Sequence, residues 1–87
     1  MKKKVLFVCT HNSARSQIAE GLLNHFCGDR YQGFSVGSAP TMVNPFAIEV
    51  LKEIGIDITD HYSKSMLEFE DFKFEYVAIL LFPISIH

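Results

Sequence analysis

The sequence predicts an α/β fold, a three-layer α/β/α arrangement around a short parallel sheet in strand order 2-1-3. Two observations lead there. Val5-Leu6-Phe7-Val8 and the stretch from Tyr76 to Phe82 are almost wholly apolar, as strands covered on both faces must be. Between them, helical and extended periodicities alternate as β-α-β-α-(α)-β. Such an alternation needs crossover connections and therefore parallel strands.

Each element follows from local chemistry. After Val5–Val8 and a short polar loop, Ile18, Ala19, Leu22, Leu23 and Phe26 recur at helical spacing, with Gly28 as the expected C′ stop. Gly33 to Val36 makes a second short strand. Asn44-Pro45 starts the next helix, with Asn at the N-cap and Pro at the first helical position, where a missing N–H is harmless. Ala47, Val50, Leu51 and Ile54 form its buried stripe, and Gly55 ends it. Ser63 is the expected cap of one more short helix carrying Met66 and Leu67, and Tyr76 to Phe82 closes the series.

Composition bounds what such a chain can do. Its 87 residues make a single domain, residues 1–87, of 48% hydrophobic and 21% charged residues, which argues against disorder. A formal net charge of −2 gives no electrostatic footprint for nucleic acid. Met1-Lys2-Lys3-Lys4 before Val5–Val8 has the outline of a secretory leader, but the apolar run is too short, and nothing approaches a membrane span. Two cysteines, Cys9 and Cys27, are too few for a disulfide framework or a zinc cluster, so the expected compartment is the cytoplasm. His11, His25, His61 and His87 match no metal-ligand spacing, and no metal or cofactor is expected.

The chemistry lies in the loop Cys9-Thr10-His11-Asn12-Ser13-Ala14-Arg15-Ser16, a C-x5-R pattern between a buried strand and a helix start. There the loop's N–H groups can form an anion-binding nest backed by the helix dipole. Arg15 adds a planar fork for two oxygens of a tetrahedral oxyanion. Cys9, at the bottom of that cup, is placed to be a thiolate, since helix N-termini and cations lower a thiol pKa. A thiolate facing bound phosphate or arsenate is poised for in-line attack. Ser16 is placed to donate to the sulfur, and Asn12 to tolerate a left-handed backbone. A cysteine ending a strand is often inert packing and an arginine at a helix start often a surface charge. Their joint placement favours the nucleophile reading. Cys27, beside Phe26, reads as packing, and Glu68, Glu70 and Asp71 with Phe69 and Phe72 as a solvated loop anchored by aromatics.

The run from Val5 to Gly21, with Cys9 to Ser16 at its centre, closely resembles the opening of the low-molecular-weight protein tyrosine phosphatase superfamily, most of all its thioredoxin- or thiol-coupled arsenate reductase branch. Ser35-Val36-Gly37 is similar to that family's Ser-Ala-Gly turn. Asn44-Pro45 through Gly55-Ile56-Asp57-Ile58, then His61 and Ser63-Lys64, resembles its next block, so that the likeness spans residues 3–80. The resemblance implies Cys9 as nucleophile, Arg15 as oxyanion clamp, and the N–H groups of Thr10, His11, Asn12, Ser13, Ala14 and Arg15 as loop lining. It further implies Ser16 and Ser35 as supporting hydrogen-bonders, and Glu20 and Lys64 as a polar pair steadying Asn12.

The sequence also departs from the family pattern. No Asp-Pro occurs, and that family's phosphatases use such an aspartate as general acid, a contribution of about 10²–10⁴-fold. Where the thiol-coupled reductases carry two further cysteines there stand Leu81 and the tail 82–87. The implied fold is C-terminally truncated, and its exposed edge is expected to give either association between chains or a weakly stable monomer. The expected function is arsenate reduction through a Cys9 adduct with an external thiol, thioredoxin or a small one, as reductant. The rivals are phosphomonoester hydrolysis at the same site and an oxyanion-binding remnant without turnover.

Overall fold

The computed structural model describes residues 1–80. β1 (Lys3–Cys9) is the centre of a three-stranded parallel sheet, flanked by β2 (Tyr31–Gly37) and β3 (Tyr76–Ile79). The order β2-β1-β3 agrees with the sequence reading. β2 begins earlier than the expected Gly33, because Tyr31 and Gln32 already stand in register with Lys3 and Lys4. Leu81 and Phe82, expected at the end of the last strand, lie outside the described residues, as do the tail positions considered above.

Strand alternation divides the sheet into two faces. Val5, Phe7 and Cys9 share one face with Gly33, Ser35 and Gly37, and α1 (Arg15–Cys27) covers it. α2 (Pro45–Glu53) packs on α1, and a core of Val43, Ala47, Leu51, Ile56 and Ile58 fills the space between them against Ala14, Ile18 and Leu22. The opposite face carries Phe34, whose ring meets those of Phe69, Phe72 and Phe74 edge-on at centroid distances of 5.3, 5.7 and 5.4 Å. Phe69 belongs to a 3₁₀ turn (Met66–Phe69), so the acidic stretch after it is a surface loop pinned by aromatics. β3 has no neighbour on its outer side among the described residues.

Helix ends show which sequence signals were local. Asn44 caps α2 by accepting from the Phe46 N–H at 2.8 Å, with Pro45 at the first position. At the other end Gly55 takes φ +84°. Its N–H donates to Lys52 O while that of Ile56 donates to Leu51 O, the paired pattern of a Schellman stop. Ile54 therefore becomes the cap residue and is 51% exposed, and Ile56 and Ile58 supply the burial expected of it.

Three expectations for the helices are corrected. α1 buries Ser16, Gln17 and Gly21, whereas Phe26 is 65% exposed, because the cover given by α2 and residues 56–58 ends near Gly21 and Leu22. Gly28 is right-handed (φ −65°) and so is not a left-handed stop, and glycine is required there because a Cβ would lie 2.3 Å from Asn24 O. The cap of the 3₁₀ turn is Ser65, which accepts from the Leu67 N–H. Ser63 is occupied elsewhere, donating its hydroxyl to Asn12 O.

Gly21 is where α1 approaches the second layer, since a Cβ would sit 2.9 Å from Leu51 Cδ1 and 3.3 Å from Ile58 Cγ2. Gly21→Val is expected to overpack this contact and lower stability by about 1–3 kcal/mol, read as a fall in the denaturant midpoint.

Candidate active site

Cys9 ends the central strand at the C-terminal edge of the sheet, between neighbours reached by opposite crossovers. Open parallel sheets bind their ligands at this position. The loop that follows has its carbonyls committed to partners outside it. Cys9 O accepts from Ser38 N, Thr10 O from Ala39 N, His11 O from Thr41 N, Ser13 O from Asn44 N and Ala14 O from Ile18 N. With the carbonyls turned away, the N–H groups are left for the inner side. Those of Asn12, Ser13 and Ser16 converge on the Cys9 sulfur, the first at 3.2 Å.

Asn12 makes this geometry possible. It is fully buried and has φ +50°, the one non-glycine positive φ among the described residues. Its amide Nδ2 donates to Ser16 Oγ at 2.8 Å, and its Oδ1 accepts from Lys64 N at 2.7 Å and from Gln17 Nε2 at 3.0 Å. Its carbonyl accepts from Ser63 Oγ and Gln17 Nε2. The strain of a left-handed residue is thereby offset by a saturated hydrogen-bond set.

Gln17 and His61 were not singled out from sequence as part of the site. Gln17 is fully buried, and its Nε2 reaches Asn12 and Tyr62 O while Oε1 meets His61 Nδ1 at 2.9 Å. Because Nε2 faces only acceptors, Oε1 must itself accept, so His61 carries a proton on Nδ1. The available signal was position: Ser16, Gln17, Glu20 and Gly21 recur at helical spacing on one face, and that face is polar.

The sulfur's electrostatics follow. Burial pushes the Cys9 thiol up, but the Ser16 hydroxyl and the N–H groups of Ser16, Asn12 and Ser13 outweigh it and hold the pKa below the ordinary thiol value. Ser16 Oγ lies 2.8 Å from the sulfur. As it already accepts from Asn12 Nδ2, its own proton is free to point at the sulfur.

The remaining expected residues divide. Glu20 accepts from Ser35 Oγ at 2.5 Å and lies 3.8 Å from Lys64 Nζ, both charges being largely buried. Lys64 reaches Asn12 through its backbone N–H, so Glu20 steadies Lys64 and Ser35 and does not touch Asn12 itself. Arg15 is the first residue of α1, at the mouth of the loop, and its side chain is exposed. His11 is exposed, with Nδ1 3.1 Å from Ala39 O, on the loop's outer side. No helix of the described residues is long and apolar enough to cross a membrane, and none of their His, Cys, Asp and Glu side chains form a metal-binding group of three or more.

The family model described as low molecular weight phosphotyrosine protein phosphatase matches residues 4–81. The chain belongs to this family. Among its relatives, arsenate reductase 2 of Staphylococcus haemolyticus is 52% identical over 62 residues, 71% of this chain and 47% of that protein. The chain thus spans about half the length of the curated relative it matches. A solved structure described as an arsenate reductase in the phosphate binding state superposes with a TM-score of 0.86 at 34% identity, covering 97% of this chain and 64% of that one. The low molecular weight protein tyrosine phosphatase of T. tengcongensis superposes at 0.78 with 36% identity, over 91% and 58%. Family membership agrees with the resemblance read from Cys9 to Ser16.

Two substitutions test this geometry. Ser16→Ala removes a donor to the sulfur, so the midpoint of Cys9 alkylation against pH should move upward, toward that of an unperturbed thiol. Gly37→Ala should displace the loop, because a Cβ there would stand 2.7 Å from both Asn12 N and Thr10 O. Its expected signature is weaker phosphate protection of Cys9 against alkylation, with far-UV circular dichroism retained.

Proposed function

We propose that this chain binds a tetrahedral oxyanion in the Cys9–Arg15 loop and reduces arsenate through a covalent Cys9 adduct, using an external thiol. The observation that carries the reading is the Cys9 sulfur ringed by the N–H groups of Asn12, Ser13 and Ser16 and the Ser16 hydroxyl. The relatives named arsenate reductases, and the neighbour described in a phosphate binding state, support the oxyanion and the reaction class.

In the first step the Cys9 thiolate attacks arsenic(V), a sulfur–arsenic bond forms, and one arsenate oxygen leaves as water after taking up protons. The N–H groups of residues 10–15 and the Arg15 guanidinium hold the other oxygens, and the Ser16 hydroxyl stabilises sulfur whenever it carries charge. A thiol then attacks the Cys9 sulfur. The sulfur–arsenic bond breaks with its electron pair passing to arsenic, which leaves as arsenite, and a mixed disulfide remains. A second thiol releases the disulfide and restores Cys9, so two thiols are oxidised for each arsenate.

Within these 87 residues the other cysteine cannot serve as that thiol. Cys27 ends α1, which begins at Arg15, so helix rise alone puts it about 18 Å along the axis. Disulfide formation needs Cα atoms within about 7 Å. Thioredoxin or a small thiol fits this requirement, and the cytoplasm is where such thiols stay reduced. Phosphomonoester hydrolysis is the second reading, favoured by the superposition on the T. tengcongensis phosphatase. It ranks second because the relatives matched by sequence are named arsenate reductases.

The deciding assay follows thiol oxidation with and without arsenate, beside hydrolysis of an aryl phosphate. Arsenate-dependent oxidation at two thiols per arsenite formed is expected, abolished in Cys9→Ser, which should still bind phosphate. Hydrolysis in the absence of arsenate-dependent oxidation would reverse the assignment.

A further inference from the structure

The donors around the Cys9 sulfur are themselves held in one direction by a chain of polar side chains. Ser16 Oγ accepts from Asn12 Nδ2 at 2.8 Å and so turns its own proton to the sulfur, 2.8 Å away. Asn12 Oδ1 accepts from Lys64 N at 2.7 Å, which fixes that amide the same way round, and the Asn12 backbone N–H reaches the sulfur directly at 3.2 Å. One step further out, Gln17 Nε2 lies against three acceptors: Asn12 O at 3.2 Å, Asn12 Oδ1 at 3.0 Å and Tyr62 O at 2.9 Å. Turned over, the fully buried Gln17 amide would set its oxygen against all three. His61 opposes that turn. Its Nδ1 stands 2.9 Å from Gln17 Oε1 and bonds to that oxygen only as an N–H donor. The ring is brought there by the turn that leaves the core. Ile58 is buried, Asp57 Oδ1 accepts from both Thr59 N and Thr59 Oγ1, and His61 N donates to Ile58 O at 2.9 Å.

On the reading of Cys9 as the reactive sulfur, we infer that Gln17 is a positioning residue for its thiolate and that His61, protonated at Nδ1, sets which way the Gln17 amide faces. Every hydrogen bond from ring to sulfur then runs in one sense: His61 donates to Gln17, Gln17 to Asn12, Asn12 to Ser16 and Ser16 to Cys9. Negative charge on the sulfur is the natural end of such a chain, because each link polarises the next toward it. A plain structural tie between α1 and residues 61–64 would need only the bond from Gln17 to Tyr62 O. The other two Nε2 contacts go to Asn12, whose left-handed backbone (φ +50°) aims the loop at the sulfur. Both the cationic ring and the neutral ring protonated at Nδ1 make the bond to Gln17, so the orientation does not depend on the charge of His61.

The pH profile of Cys9 alkylation in the full 87-residue chain tests this. Gln17→Met keeps the length of the side chain and removes its donor, and should move the midpoint upward by about half a pH unit to one. His61→Leu should move it the same way, whereas His61→Asn, whose amide N–H takes the place of the Nδ1 donor, should keep the wild-type midpoint. Because His61 acts through Gln17, Gln17→Met combined with His61→Leu should rise no further than Gln17→Met alone. Nitrogen NMR of the wild-type imidazole gives a reading that needs no variant to fold: with the ring neutral, the proton should reside on Nδ1. A neutral ring protonated at Nε2 would overturn the inference. So would additive shifts in the double variant, a wild-type midpoint in His61→Leu, or one in His61→Asn as high as in His61→Leu. An ordinary thiol midpoint in the wild-type protein would overturn the reading of Cys9 itself, and the role of Gln17 with it.

Discussion

The left-handed backbone at Asn12 and the hydrogen bonds that saturate it set the orientation of the whole loop between β1 and α1. A peptide chain cannot point consecutive N–H groups at one atom unless the carbonyls find acceptor roles elsewhere. Here residues 38–44 run alongside the loop and supply N–H donors to its outer side, while Ser63 and Gln17 serve the Asn12 carbonyl. The inner side is left rich in donors, and sulfur is what they surround. Concentrated partial positive charge of this kind is unfavourable empty and favourable around an anion, which is the physical basis for both a depressed thiol pKa and oxyanion affinity.

Much of this was legible in the sequence where the determinants are local. Cys9 at a strand end, Arg15 at a helix start and Ser16 one turn beyond Asn12 are placed by spacing alone. Asn44-Pro45 and Gly55 mark the bounds of α2 because capping and left-handed stops depend on a few adjacent residues. The misses depend on contacts distant in the chain. Gln17 acts through Tyr62 and His61, more than forty residues away, and its helical spacing with Ser16 and Glu20 marks a polar face without saying which loop supplies the partners. Phe26 reads as core by its spacing, yet nothing packs over that end of α1. The cap at Ser65 in place of Ser63 has the same origin, for Ser63 is drawn to Asn12.

The site's dependence on remote segments has a stability side. The buried core of the described residues is modest, and the same pieces that complete it also complete the loop. Ile56 and Ile58 pack against α1 and lead directly into His61, Ser63 and Lys64, each joined to Asn12 or Gln17. Loosening the layer between α1 and α2 would therefore be felt at the sulfur, through Gln17 above all. On the other face the phenylalanine cluster around Phe34 anchors the residues that lead into β3.

The clamp of Asn24 on Gly33 also works as a ruler. Asn24 lies on the same helix as Ser16, two turns further along, and its amide grips both polar groups of one strand residue. A slide of α1 by a single residue, about 1.5 Å, would break that grip and carry the Ser16 hydroxyl away from the sulfur. The axial setting of the helix is thus gauged at its far end, and the alignment of donor and sulfur is inherited from a contact that touches neither.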